Sequence, residues 1–133
     1  METFAEMRAP FADFLGIKIT HLAAERVEAE LAVRPELATI PDILHGGAIM
    51  ALADNLGGAA TVVNLPKGAR TATIESKTNF FAAIPVGETA HAECTALHRG
   101  RTTMVWQTKI TRQDGRLAAL VIQTQIVIPA EKS

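Results

Sequence analysis

Apolar and polar residues alternate without a break from Arg26 to Arg34. Val27, Ala29, Leu31 and Val33 fall on one side, and Arg26, Glu28, Glu30 and Arg34 on the other. This two-residue period marks a half-buried strand. The run Ile17–Leu22 just before it reads as a neighbouring strand. Further upstream, Pro10 and Gly16 bracket Phe11–Leu15 and predict a short helix, with Phe11, Phe14 and Leu15 on its inner face. Pro35 and Pro41 mark the next segment as irregular. From Gly46 to Val63 the chain is almost entirely Ala, Gly, Leu, Ile, Met and Val, too long for one strand and stopped by Asn64 and Pro66. It predicts a helix that is apolar on every side and therefore buried. Four strand patterns follow: Thr71–Phe81, Glu88–His98, Thr102–Arg112 and Arg116–Ile128. The turns between the last three are Arg99-Gly100-Arg101 and Gln113-Asp114-Gly115, and Asp-Gly is a strong hairpin signal. Ala90, Ala92, Cys94 and Ala96 give one strand a face small enough for a helix to lie close. On the next strand Met104, Trp106 and Ile110 point to one side, and Gln107 and Lys109 to the other.

The order is a short helix, two strands, a buried helix and four strands. An α+β arrangement accommodates it: a six-stranded antiparallel sheet wrapped around one central helix, with a short N-terminal helix. Such a sheet has open edges, so a partner subunit is expected. The length of 133 residues predicts a single domain, 1–133, with one sizeable core. Thirteen basic against fourteen acidic residues leave a net charge of −1 and no basic stripe, which argues against a nucleic-acid partner. Cys94 is the only cysteine, so neither an intrachain disulfide nor a thiolate metal cage can form, and a cytoplasmic setting is the default expectation. The opening stretch has no apolar run suited to a signal peptide, and Asp54 interrupts the one long apolar run, so no membrane span is expected. There is no tyrosine, which excludes tyrosine-based acid catalysis.

Asp54 is the charged residue that does not fit. It sits in the middle of the apolar helix, where an ionised carboxylate is costly unless it is hydrogen-bonded, paired or solvated. Two readings stand: a structural hydrogen bond on a solvent-reaching face, or a functional carboxylate. His45-Gly46-Gly47 opens the same helix. First-turn N–H groups lack internal partners, and the helix dipole favours negative charge there, so this is either a plain loop-to-helix junction or an oxyanion site. His45 and Asp54 are nine residues apart, about 13–14 Å along a helix and half a turn out of phase. If the two groups act together, they come from different subunits, which predicts two equivalent sites at a symmetric dimer interface. Thr73, Ser76 and Asn79 lie on the strand after the helix, as site residues or as ordinary strand polarity. Arg99-Gly100-Arg101 is either a charged hairpin or a phosphate site, and Lys67 and Arg70 carry the same ambiguity. His21, His91 and His98 have no metal-ligand spacing, so no metal site is expected.

These residues resemble a family. The stretch His45-Gly46-Gly47-Ala48-x-x-x-x-Ala53-Asp54 is similar to the signature of hotdog-fold acyl-CoA thioesterases of the phenylacetic-acid-degradation (PaaI-like) type. The likeness extends to Thr73-x-x-x-x-x-Asn79-Phe80, to Gly87-Glu88 and to His98-Arg99-Gly100-Arg101, spanning roughly residues 14 to 128. The resemblance implies a hotdog fold and hydrolysis of a small or medium acyl- or aryl-CoA. No cofactor is implied beyond the CoA carried by the substrate. It implies a homo-oligomer, dimer or tetramer, with sites at the subunit interface. By matching position, Asp54 is the general base or nucleophile, and Gly46 the N–H donor to the thioester oxygen. His45 orders the loop, and Thr73 stands beside the carboxylate. Gly47, Thr39, Asn79 and Phe80 fall at the substrate, and Arg99, Gly100, Arg101 and Lys67 near the CoA phosphates. Two positions depart from the pattern. Thr39 stands where the family often has Asn, and Asp42 where it often has Gly. The rival readings are a non-catalytic acyl-CoA-binding module and a hotdog hydratase.

Overall fold

A computed structural model describes residues 9–131; the first eight residues, part of the stretch read above as lacking a signal peptide, lie outside them. Helix α1 spans Pro10–Leu15 and ends on Gly16, whose φ of 82° closes the last turn. Strands β1 (Lys18–Leu22) and β2 (Arg26–Ala32) form an antiparallel hairpin. A 3-10 turn at Pro35–Leu37 leads into a two-strand ladder, β3 (Ala38–Thr39) with β4 (Ile43–Leu44). Helix α2 follows at Gly46–Asn64, and then β5 (Arg70–Phe80), β6 (Thr89–Arg99), β7 (Thr103–Thr111) and β8 (Leu117–Ile128). The main sheet has six antiparallel strands in the order β1-β2-β6-β7-β8-β5, which leaves β5 on an edge.

The expected packing of α2 inside the sheet holds. Leu52, Ala53, Leu56 and Ala60 are buried, as are Ala90, Ala92 and Cys94 on the small face of β6. Met104, Trp106 and Ile110 of β7 point into the same core. By length and composition alone α2 could cross a membrane; here its apolar surface meets the sheet. The Trp106 Nε1–H donates to Thr61 Oγ1 at 2.9 Å, and that hydroxyl donates to the Gly57 carbonyl at 2.8 Å. The indole polarity is thus satisfied within the core. Burial pushes the Cys94 thiol up to about 11, so it remains a protonated core residue.

Two expectations are corrected. Helix α2 is not buried all round: Gly47, Met50 and Asp54 are exposed on one stripe, because the sheet curls around only the other side. On α1, only Leu15 is buried, while Phe11 is 61% and Phe14 62% exposed. A helix of six residues presents too little surface to seat all three, and the Phe14 ring lies 5.6 Å from the Arg34 guanidinium instead. That guanidinium also donates to the carbonyls of Phe14 and Leu15, holding the C-terminal end of α1. Asp42, which stands where the resembled pattern often has Gly, is exposed and has a φ of 57°. The loop needs a left-handed residue at this point; glycine meets that need freely, and Asp is among the residues that tolerate it.

Candidate active site

Asp54 emerges on the open stripe of α2 opposite β5 and β8, and its carboxylate is held there. Thr73 Oγ1 donates to Asp54 Oδ1 at 2.6 Å, and Gln123 Nε2 donates to the same oxygen at 3.2 Å. Gln125 Nε2 donates to Thr73 Oγ1 at 2.5 Å. Among the described residues nothing bonds Asp54 Oδ2. A carboxylate tethered through one oxygen and open at the other suits proton abstraction or nucleophilic attack.

The backbone of β5 decides which side chains reach this place. Its pairing with β8 slips between Thr73 and Glu75, a bulge at Ile74. A regular strand would put Thr73 and Phe80, seven residues apart, on opposite faces. The bulge reverses the phase, so Thr73 (opposite Gln125) and Phe80 (opposite Ala119) both face α2. Asn79, grouped with them by the sequence pattern, pairs with Leu120 and projects from the other face. Within the protomer it is not brought to Asp54.

His45, Gly46 and Gly47 gather at the start of α2. His45 is the N-cap: its Nδ1 accepts the Gly47 N–H at 2.8 Å, and its carbonyl accepts the Ala48 N–H at 2.9 Å. An accepting Nδ1 puts the proton of a neutral imidazole on Nε2. With these two amides occupied, the Gly46 N–H makes no hydrogen bond among the described residues and lies at the positive end of the helix dipole. The Phe80 ring lies over it; a Cβ on Gly46 would be 3.3 Å from Phe80 Cε1. Thr39 is exposed on the β3–β4 ladder just before this helix. Gly46 and Asp54 belong to one helix, about 12 Å apart along its axis, so one protomer does not bring them together.

At the other end of α2, Asn64, Pro66, Arg99, Gly100, Arg101 and Val127 line a groove of about 450 Å³. Arg99 Nη1 donates to Asn64 Oδ1 and to the Ala24 carbonyl, both at 3.4 Å. Arg101 forms no ion pair among the described residues, and Lys67 is exposed beside Pro66. No group of three His, Cys, Asp or Glu among the described residues could hold a metal ion.

Gln123 and Gln125 did not stand out in the sequence. The signal was there: two amides two residues apart, on the face of a strand that otherwise turns Ala119 and Val121 to the core.

The model of the thioesterase superfamily matches residues 42–119. The chain is 32% identical over 102 residues to the proofreading thioesterase EntH of Klebsiella pneumoniae, covering 77% of this chain and 74% of that protein. It is 29% identical over 104 residues to 1,4-dihydroxy-2-naphthoyl-CoA hydrolase of Escherichia coli, covering 78% and 76%. A crystal structure of a variant of thioesterase PA1618 from Pseudomonas aeruginosa superposes with a TM-score of 0.88 at 27% identity, over 95% of this chain and 91% of that one.

Proposed function

The chain belongs to the thioesterase superfamily, and from that premise we propose that it hydrolyses an acyl-CoA thioester to the free acid and CoA, with Asp54 acting at the thioester carbonyl. The observation that carries this reading is the carboxylate held by Thr73 and Gln123 on the open stripe of α2. Asp54 Oδ2 takes a proton from water as that water attacks the carbonyl carbon, or attacks that carbon itself to give a mixed anhydride that water then hydrolyses, the C–S bond to CoA breaking in either case. The carbonyl oxygen then carries the developing charge, and the unoccupied Gly46 N–H at the helix start stabilises it. The CoA thiolate is a good leaving group, so neither step requires a metal or redox cofactor.

The half-sites are completed by a second copy of the chain. Eleven-residue β5 is an open edge whose residues are largely exposed on both faces. Pairing two such edges about a two-fold axis sets the Phe80 end of one strand against the Thr73 end of the other. Each Gly46 loop then approaches the partner's carboxylate, in a dimer or a tetramer built from such dimers. Met50 on the open stripe and Phe80 beside it, both exposed, border the acyl group. The relative named 1,4-dihydroxy-2-naphthoyl-CoA hydrolase supports CoA as the carrier, and a CoA thioester substrate is consistent with a cytoplasmic setting.

The groove between Asn64 and Arg101 suits the CoA phosphates, because two guanidinium groups flank it. Changing Arg99 and Arg101 together to Ala is expected to raise KM about tenfold and weaken its salt dependence, with kcat changed much less. A double variant with unchanged KM returns the hairpin to a plain charged turn.

Incubation with a panel of acyl-CoAs and a thiol-detecting reagent tests the reading as a whole. Release of free thiol with turnover identifies a hydrolase. Tight binding without release identifies a binding module, and loss of an enoyl-CoA without thiol release identifies a hydratase; either result overturns the proposal.

A further inference from the structure

Gln123 is fully buried, and Gln125 is 1% exposed. Both lie on the sheet face that packs against α2, where an apolar side chain of the same volume would satisfy the core at lower cost. Gln123 in particular is an expensive choice. Its amide lies against the helix backbone at Gly57, where a Cβ would sit 2.5 Å from Gln123 Nε2. Its Oε1 has no hydrogen-bond partner among the described residues. A buried amide with one half unsatisfied costs more than a methionine in its place. What a methionine could not do is donate to Asp54 Oδ1.

Gln125 reaches the same oxygen through a directed chain. Thr71 Oγ1 lies 2.9 Å from Gln125 Oε1 and 2.8 Å from the Ile126 carbonyl, so its proton can fix which way the amide faces. Gln125 Nε2 then donates to Thr73 Oγ1, and because that lone pair is occupied the Thr73 proton is turned toward Asp54. Both routes end on Oδ1, and neither touches Oδ2.

Resting on the proposed role of Asp54, we infer that Gln123 and Gln125 are positioning residues that immobilise Oδ1 of the carboxylate, so that Oδ2 is the oxygen that reacts. Gly57 belongs to the same device, since its missing side chain is the space Gln123 occupies. The role is one of geometry: a carboxylate free to rotate about χ2 would present Oδ2 to the carbonyl only part of the time.

Gln123→Met keeps the volume over Gly57 and removes the donor. It is expected to lower kcat on the order of tenfold or more, with KM within about threefold, and without lowering the thermal midpoint. In an Asp54→Asn background the same change is expected to lower the residual rate by less than about twofold, because the residue it positions is already disabled. A purely structural role for Gln123 gives equal losses in both backgrounds, and that result overturns the inference. So does a Gln123→Met enzyme with wild-type kcat. If Gln123→Met does not fold, Gln125→Met breaks only the route through Thr73 and carries the same two criteria. Failure of the underlying reading is seen separately, as wild-type turnover by Asp54→Asn alone.

Discussion

Asp54→Asn is expected to lower kcat on the order of 10²–10⁴-fold while leaving the fold and CoA binding intact. The substitution is nearly isosteric, and an amide oxygen in the place of Oδ1 still accepts from Thr73 and Gln123. The negative charge that makes Oδ2 a base or nucleophile is lost. Because Asp54 is exposed at the edge of an otherwise packed helix, the thermal midpoint should stay within a few degrees of the parent. Steady-state kinetics and calorimetric titration with CoA separate the two effects: kcat collapses and the CoA affinity persists. Near-normal turnover would make the carboxylate structural and remove the mechanism. Subunit mixing extends the experiment to the shared site. Gly46→Pro removes the candidate oxyanion N–H at the first helical position, where the backbone accepts proline and the exposed Phe80 ring, 3.3 Å from a Cβ there, must shift slightly. If each site draws Gly46 and Asp54 from different subunits, a mixed dimer of the two inactive variants contains one doubly damaged site and one intact site. Activity then returns in part on mixing; no recovery after verified subunit exchange argues for sites within one chain.

The largest effect on stability is expected at Trp106. It is fully buried against α2, the largest such side chain in the core, and its Nε1–H is satisfied by Thr61. Trp106→Ala removes the whole indole from a region that cannot collapse, because the facing residues are fixed by sheet register and by the helix. The expected cost is about 3–5 kcal/mol, a large share of the stability of a domain this size. Trp106→Phe keeps most of the packing and loses the hydrogen bond; Thr61 still donates to the Gly57 carbonyl, so about 1–2 kcal/mol is expected. Denaturant titrations at one fixed protein concentration measure both, since association contributes to the apparent stability. A Trp106→Ala loss below about 1 kcal/mol would mean that the core repacks freely around the cavity.

The elements of this fold were largely legible because their causes are local. The alternation from Val27 to Val33, the Asp114-Gly115 turn with Gly115 at φ 85°, and the break at Asn64-Leu65-Pro66 each act within a few residues. The odd charge at Asp54 and the small residues at the start of α2 were equally visible, since each contradicts its immediate surroundings. The β3–β4 ladder was not visible: two-residue strands carry no periodicity, and the chain there is shaped by Asp42 in a left-handed conformation.

The company that Asp54 keeps is decided by tertiary structure alone. Thr73 and Gln125 are 52 residues apart, and Gln123 lies 69 from Asp54. They meet because β8 pairs with β5 in one register and α2 lies across both. The bulge at Ile74 then chooses which half of β5 faces the helix, turning Thr73 in and Asn79 away. A two-residue period read along the chain cannot detect a single inserted residue, since the pattern on each side of it remains regular. The residue types that a carboxylate site requires were therefore written in the sequence, and their convergence on Oδ1 was settled by strand register, which is set by packing across the whole sheet.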